Sequence, residues 1–249
     1  MPDLPASVRL ALWVPYAWAG GATLVSAVAA ATPDLEVDAD AALTRLAVWG
    51  EVGERTLRVS LPVPGDLVGL PRGDGAFLTD VLDVGECVWS PLVGGALVPE
   101  FATYGPPGDE GELVRWHDHA CAPPSSPAPS EDERDLAALL ARATRELEDL
   151  DVVPWQEGLR DLAEARLRAG TWGLPPTLPG TAVRDIVRAA IVEAIARDGL
   201  QGHSVDRYAD QRREVILREL AGRARRALAA ATDAGAAAIA AQGGPAVRT

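Results

Sequence analysis

The chain has 249 residues, 48% of them hydrophobic, which suits folded domains with real cores and not a disordered polymer. All 23 of its basic residues are arginine, so a Schiff-base lysine and the P-loop lysine are excluded. A net charge of −13 repels a phosphate backbone over most of the surface, which disfavours nucleic acid as a partner.

That charge is uneven. Residues 1–120 carry 17 acidic and 6 basic groups, whereas residues 121–249 carry 19 and 17. Two cysteines, Cys87 and Cys121, make no disulfide framework and read as free thiols in a reducing cytoplasm.

In chain order, the first feature is a run of 24 uncharged residues from Leu10 to Pro33. Its length would span a bilayer. Pro15 and Gly20-Gly21 interrupt it, however, and Arg9 ahead of it is offset by Asp3. The run therefore reads as a buried strand near Val8–Val14, a Gly-Gly turn and a short alanine-rich helix ending before Pro33. No membrane span is expected. Leu43–Trp49 and Arg55–Val63 read as strands of a hairpin, the second closed by a Pro-Gly-Asp turn. Gly75–Gly85 places Phe77, Leu78, Val81 and Leu82 at helical spacing, with Asp74 as N-cap and Gly85 as the stop. Glu86–Val93, Ala96–Tyr104 and Glu112–His119 then read as strands joined by short connections. Pro91 and Pro99 within two of them suggest edges or bulges.

Cys121–Ser130, with four prolines and three serines, reads as an extended linker. Beyond it the pattern turns helical. Ser130 and Glu133 form a capping box, and Leu136, Leu139, Leu140, Ala143, Leu147 and Leu150 trace one face. Pro154 opens a second helix that ends at Gly170. Thr181 caps a third, with Val183, Ile186, Val187, Ala190, Ile191 and Ile195 inward and Gly199 as its stop. Ser204 opens a fourth, whose alanine-rich end frays past Asp233. The expected fold is α+β: an N-terminal antiparallel sheet with two short helices (1–120), the linker (121–130) and a C-terminal four-helix region (131–249).

Several loop phrases occur together: "PGDLVGLPRG" (64–73), "GECV" (85–88), "GGALVPE" (94–100), "YGPPGDEG" (104–111) and "WGLP" (172–175). In these the chain resembles a group of uncharacterised proteins from high-GC actinobacteria. The resemblance covers most of the chain and implies a coherent soluble fold, with no activity and no site residue to carry over.

The most suggestive chemistry is "HDHAC". On a strand His117, His119 and Cys121 share one face, and Cys87 would complete a tetrahedral zinc set. His-x-His-x-Cys is not a recognised ligand spacing, so no metal is assigned and the stretch reads as the polar end of the last strand. Cys87 with His117 or His119 as base has nucleophile chemistry by type, but it stands in an apolar strand, where a buried inert thiol is the ordinary case. No catalytic residue and no cofactor are assigned. Asp66, Arg72 and Glu100 are the candidate binding residues, because an Arg fork can hold a carboxylate and these lie near strand ends. Seven arginines between Arg207 and Arg226 are interleaved with acids, as on a solvated or docking helix face. Trp13, Trp49, Trp89 and Trp116 read as core residues on strands.

Two functions follow. The first is a cytoplasmic, non-enzymatic module with a protein partner, homo-oligomerisation being left open. The alternative is a small-molecule-binding protein or enzyme with a polar site around Arg72, Glu100 and Tyr104. A deep pocket around those side chains would favour the alternative, and a flat acidic sheet face the module.

Overall fold

Residues Ala6–Val14 are apolar or small all round, apart from Arg9, and a helix of that kind is buried on every side. The computed structural model, which describes residues 4–33, 35–106, 108–125, 133–149, 172–201 and 207–243, places there a helix, α1 (Ala6–Trp18). The expected strand at Val8–Val14 is thus corrected. Pro15 sits inside the helix and does not end it, and Ala19 N–H still closes the last turn on the Pro15 carbonyl at 2.9 Å. α1 has no side-chain cap of its own. Buried Glu86 supplies the acceptor from a distant loop, taking the Ser7 N–H at 2.7 Å. Burial raises the Glu86 carboxyl, and the Ser7 and Ala6 N–H groups and Arg9 pull it part of the way back.

The expected alanine-rich helix is α2 (Leu24–Ala31), where Thr23 Oγ1 accepts the Ser26 N–H as an N-cap. A three-residue strand, β1 (Glu36–Asp38), follows. Leu43–Trp49 is a second correction: it belongs to helix α3 (Asp40–Glu51). Ala42, Leu46 and Trp49 are its buried residues, at helical spacing.

The remaining elements of this half are β2 (Arg58–Ser60), β3 (Arg72–Gly73), α4 (Gly75–Val84), β4 (Cys87–Trp89), β5 (Ala96–Tyr104), β6 (Gly111–His119) and β7 (Cys121–Ala122). α4 is capped as expected: Asp74 Oδ1 accepts the Phe77 N–H at 2.9 Å, and Gly85 ends the helix at φ 78°. Five strands form one sheet in the order β1-β6-β5-β4-β2, and β3 pairs with β7 in a separate ribbon. The pairs are antiparallel except β1 with β6, so the sheet is mixed rather than purely antiparallel. Cys121 and Ala122, read as the start of the linker, are the strand that meets Arg72 and Gly73. Pro99 lies on β5, an interior strand rather than an edge, past the ladder with β4, which ends at Leu97, and opposite Trp116 of β6.

α1 and α3 pack on one face of the sheet, with α2 against them. α4 covers part of the other, where Phe77 and Val81 join Cys87, Trp89, Ala96 and Val98 in one buried cluster. Trp49, Trp89 and Trp116 are buried, and Trp13 is partly so, although Trp13 and Trp49 are on helices rather than strands.

After residue 125 the described elements are α5 (Glu133–Asp149), α6 (Gly180–Gln201) and α7 (Arg207–Gln242). The second expected helix, from Pro154 to Gly170, lies outside the described residues, as does Ser204. α5 buries Leu136, Ala143 and Leu147, and α6 buries Ile186, Val187, Ile191 and Ile195. Gly199 does not stop α6, which continues to Gln201. Nor does α7 fray past Asp233: it runs to Gln242, held by burial of Thr232, Ala236 and Ile239. Among the described residues no helix is long and apolar enough to cross a membrane.

The chain forms two compact units. One comprises Met1–Asp3, Pro129–Trp172 and Arg184–Ala231. The other, which holds the sheet, comprises Leu4–Ala128, Gly173–Val183 and Thr232–Thr249. Two segments from the C-terminal half are therefore part of the sheet unit.

Candidate functional site

Alternation along a strand sends every second side chain to one face. On β5 that series is Ala96, Val98, Glu100, Ala102 and Tyr104, and the register sets it beside His119, His117, Arg115, Leu113 and Gly111 of β6. β1 adds Glu36 and Asp38 opposite Leu113 and Arg115. α4 covers the Ala96–Val98 end. Past Val98 the face is open, and Asp38, Glu100, Tyr104 and Arg115 are exposed.

These side chains form a ladder of ion pairs and hydrogen bonds. Arg115 donates through Nε to Asp38 Oδ2 at 3.0 Å and through Nη1 to Glu100 Oε2 at 3.2 Å. His117 Nε2 lies 2.8 Å from the same Glu100 oxygen. Tyr104 donates its hydroxyl proton to Glu36 Oε2 at 2.5 Å. The His117 hydrogen bond, with Arg115 behind it, holds the Glu100 carboxyl below its ordinary range. Glu36 raises the Tyr104 hydroxyl, and Asp38 and Glu100 raise the Arg115 guanidinium. Glu100 is thus kept charged, the reverse of a carboxyl tuned to donate a proton near neutral pH.

Period two places His117, His119 and Cys121 on the α4-bearing face, as the sequence implies, yet each takes a different neighbour. His117 goes to Glu100. His119 packs on the Phe77 ring at 5.5 Å between centroids, with Nε2 3.2 Å from Asp80 Oδ2 but out of hydrogen-bond geometry. Cys121 packs against the cluster that buries Cys87. Among the described residues no group of three or more His, Cys, Asp or Glu is placed to hold a metal. Burial drives the Cys87 thiol far above its ordinary range and Cys121 up to about 11, so both stay protonated and unreactive near neutral pH.

The three candidate binding residues have separate partners. Glu100 belongs to the ladder. Arg72 Nε donates to the Pro123 carbonyl at 3.4 Å, and Asp66 closes the turn with Val63. Sequence reading missed Asp38 and Glu36, whose strand has three residues and no pattern long enough to mark it. A groove of ≈ 540 Å³ lies elsewhere, beside α3, lined by Asp40, Ala41, Thr44, Arg45, Val48 and Asp118. Arg45 is held there by both carboxylate oxygens of Asp118.

In the helical unit the arginines face acids. Arg142 pairs with Glu219 and Arg212 with Glu146, each at 2.8 Å, and Arg218 meets Glu214 at 2.6 Å. Arg213 bonds Asp210 at 2.9 Å and the Gly199 carbonyl. The first two pairs tie α5 to α7, the Gly199 contact ties α6 to α7, and all of them occupy groups that a phosphate would otherwise need.

Residues 7–132 match the N-terminal domain of the Rv1486c-like protein, and residues 130–229 match its C-terminal domain. The chain belongs to the Rv1486c-like family. No activity is named for the Rv1486c-like domains, in keeping with a resemblance that carried none. Their matches meet at residues 130–132, at the end of the proline- and serine-rich stretch. No curated protein and no solved structure matches the chain.

Proposed function

We propose that this Rv1486c-like protein is a non-enzymatic interaction module that binds a protein partner through the open face of its sheet. The observation that supports this reading is the exposed ladder Asp38–Arg115–Glu100–His117, set on rigid paired strands and flanked by Glu36 and Tyr104. Charged groups arranged in a fixed pattern recognise a partner by complementarity and steer its approach. Acids outnumber cations on this face and throughout residues 1–120, which suits a partner with basic groups. A cytoplasmic setting fits the two free thiols. The alternative of a small-molecule site around Arg72, Glu100 and Tyr104 is less well supported, because Arg72 turns to Pro123 and Tyr104 to Glu36.

The test is affinity enrichment from the native cell with the full chain and with a Glu36→Arg/Glu100→Arg variant whose folding is checked by circular dichroism. A partner retained by the full chain and lost by the variant is expected. Equal recovery by both, or no enriched partner together with a metabolite that raises the melting temperature, overturns the reading.

A further inference from the structure

Among the described residues β2 stands at the end of the strand order and has β4 as its one strand neighbour. An edge strand leaves N–H groups that need acceptors from elsewhere. For β2 the acceptor is a carboxylate. Asp233, on α7, takes the Val59 N–H on Oδ1 at 3.2 Å and Arg58 Nη1 on Oδ2 at 3.1 Å.

The helix end is built to reach this edge. Around Asp233 it buries Thr232, Ala236 and Ile239. Further on, Gln242 Nε2 donates to the Thr177 carbonyl at 3.2 Å, and Gly243 lies so close to Ala19 that a Cβ would come within 2.6 Å of it. All these residues belong to the sheet unit. Asp233 is the charged group of this end: the positions one turn away on its own helix are Ala229, Ala230, Ala236 and Ala237. Arg58 is the charged group that acts on it from β2. The Arg58 side chain is 51% exposed while that of Asp233 is 21% exposed, so the cation stays in water and its partner does not.

We infer that Asp233 is an acid-tightened latch: its protonation strengthens the hold of the α7 end on the β2 edge, and its ionisation loosens that hold. The physical cause is desolvation. A carboxylate set against an apolar helix end loses more hydration than one hydrogen bond and one half-solvated arginine return. Burial accordingly raises the Asp233 carboxyl from 3.8 to about 6, with Arg58 and the Val59 N–H opposing the rise. Docked, the group binds a proton more tightly than when the helix end is released. Its contribution is complete below the released value of 3.8 and is lost as pH rises through about 6. Between about pH 7.5 and about pH 5 this changes the docking equilibrium about ten-fold.

Hydrogen exchange of the full chain, read by mass spectrometry and corrected for intrinsic rates, tests the latch in peptides covering residues 232–243. Protection there should rise about ten-fold on going from about pH 7.5 to about pH 5. Peptides from α3 should change little. Asp233→Asn keeps an acceptor for Val59 and should make protection high and independent of pH. Arg58→Gln should move the midpoint upward, since the cation that favours ionisation is gone. Unchanged protection in the native chain, the same pH dependence in Asp233→Asn, or an unmoved midpoint in Arg58→Gln overturns the inference.

Discussion

Glu54 is 3% exposed and accepts four donors: the Arg55 N–H at 3.0 Å, the Thr56 N–H at 3.3 Å, the Ser90 hydroxyl at 2.5 Å and the Leu92 N–H at 3.0 Å. A buried carboxylate is tolerable because every lone pair is used. It ties the turn after α3 to the β4–β5 connection, and Ser90 Oγ passes the link on by accepting the Val93 N–H at 3.0 Å. Nothing in "GEVGE" marks this residue, because a Gly-flanked acid in a turn is usually solvated. Glu54→Ala leaves those donors buried without an acceptor. It should lower unfolding stability by about 3 kcal/mol or more, read as a fall in urea midpoint at constant slope. Glu54→Gln keeps one acceptor oxygen and should cost less. The same logic governs the ladder residues in reverse: they are exposed, so their ion pairs add little to stability and their arrangement matters for recognition instead.

At the scale of elements, what was legible depended on period and punctuation. β5 and β6 show themselves by β-formers between glycine turns, and α4 by Asp74 and Gly85, two residues with defined cap geometry. α1 was not legible, since a helix buried all round has no period and Pro15 looks like a terminator. α3 carried the signal at Ala42, Leu46 and Trp49, but Leu43–Trp49 is rich enough in β-formers to pass for a strand. Gly50 shows why propensity misleads there. On intrinsic preference alone, Gly50→Ala in a helix should gain about 1 kcal/mol. Here a Cβ would lie 2.7 Å from Trp18 Nε1, so α1 and α3 approach closely at this glycine. The indole is rigid and partly buried, and overpacking of this kind costs about 1–3 kcal/mol. Gly50→Ala should therefore lower the melting temperature, and Gly50→Ala combined with Trp18→Ala should relieve the penalty; a stabilised single variant would refute the close packing.

For the whole molecule, sequence order and spatial membership part company. The proline- and serine-rich stretch marks a visible division, near which the two family matches meet, yet the sheet unit also takes Gly173–Val183 and Thr232–Thr249. No local pattern announces this, because "TWGLPPTLPG" reads as a connection and the alanine-rich end of α7 reads as fraying helix. Both are partners of the sheet unit. The Gly173 carbonyl accepts the Trp13 indole N–H at 2.7 Å, Pro175 and Leu178 are buried, and Asp233 caps the β2 edge. A chain cut after Ala128 would keep every strand of the sheet and lose all of these contacts. Its Trp13 N–H and Val59 N–H would be left to water, and the apolar surface under Leu178, Ala236 and Ile239 would be uncovered, at about 25 cal/mol per Å². Since a domain's net stability is about 5–15 kcal/mol, losses on that scale are decisive. The fragment should melt well below the full chain and bind a hydrophobic dye. A chain cut after Ala231 removes the α7 end alone and should fall between the two in melting temperature. Should residues 1–128 melt as the full chain does, the later segments would be passengers on the sheet unit and not parts of its fold.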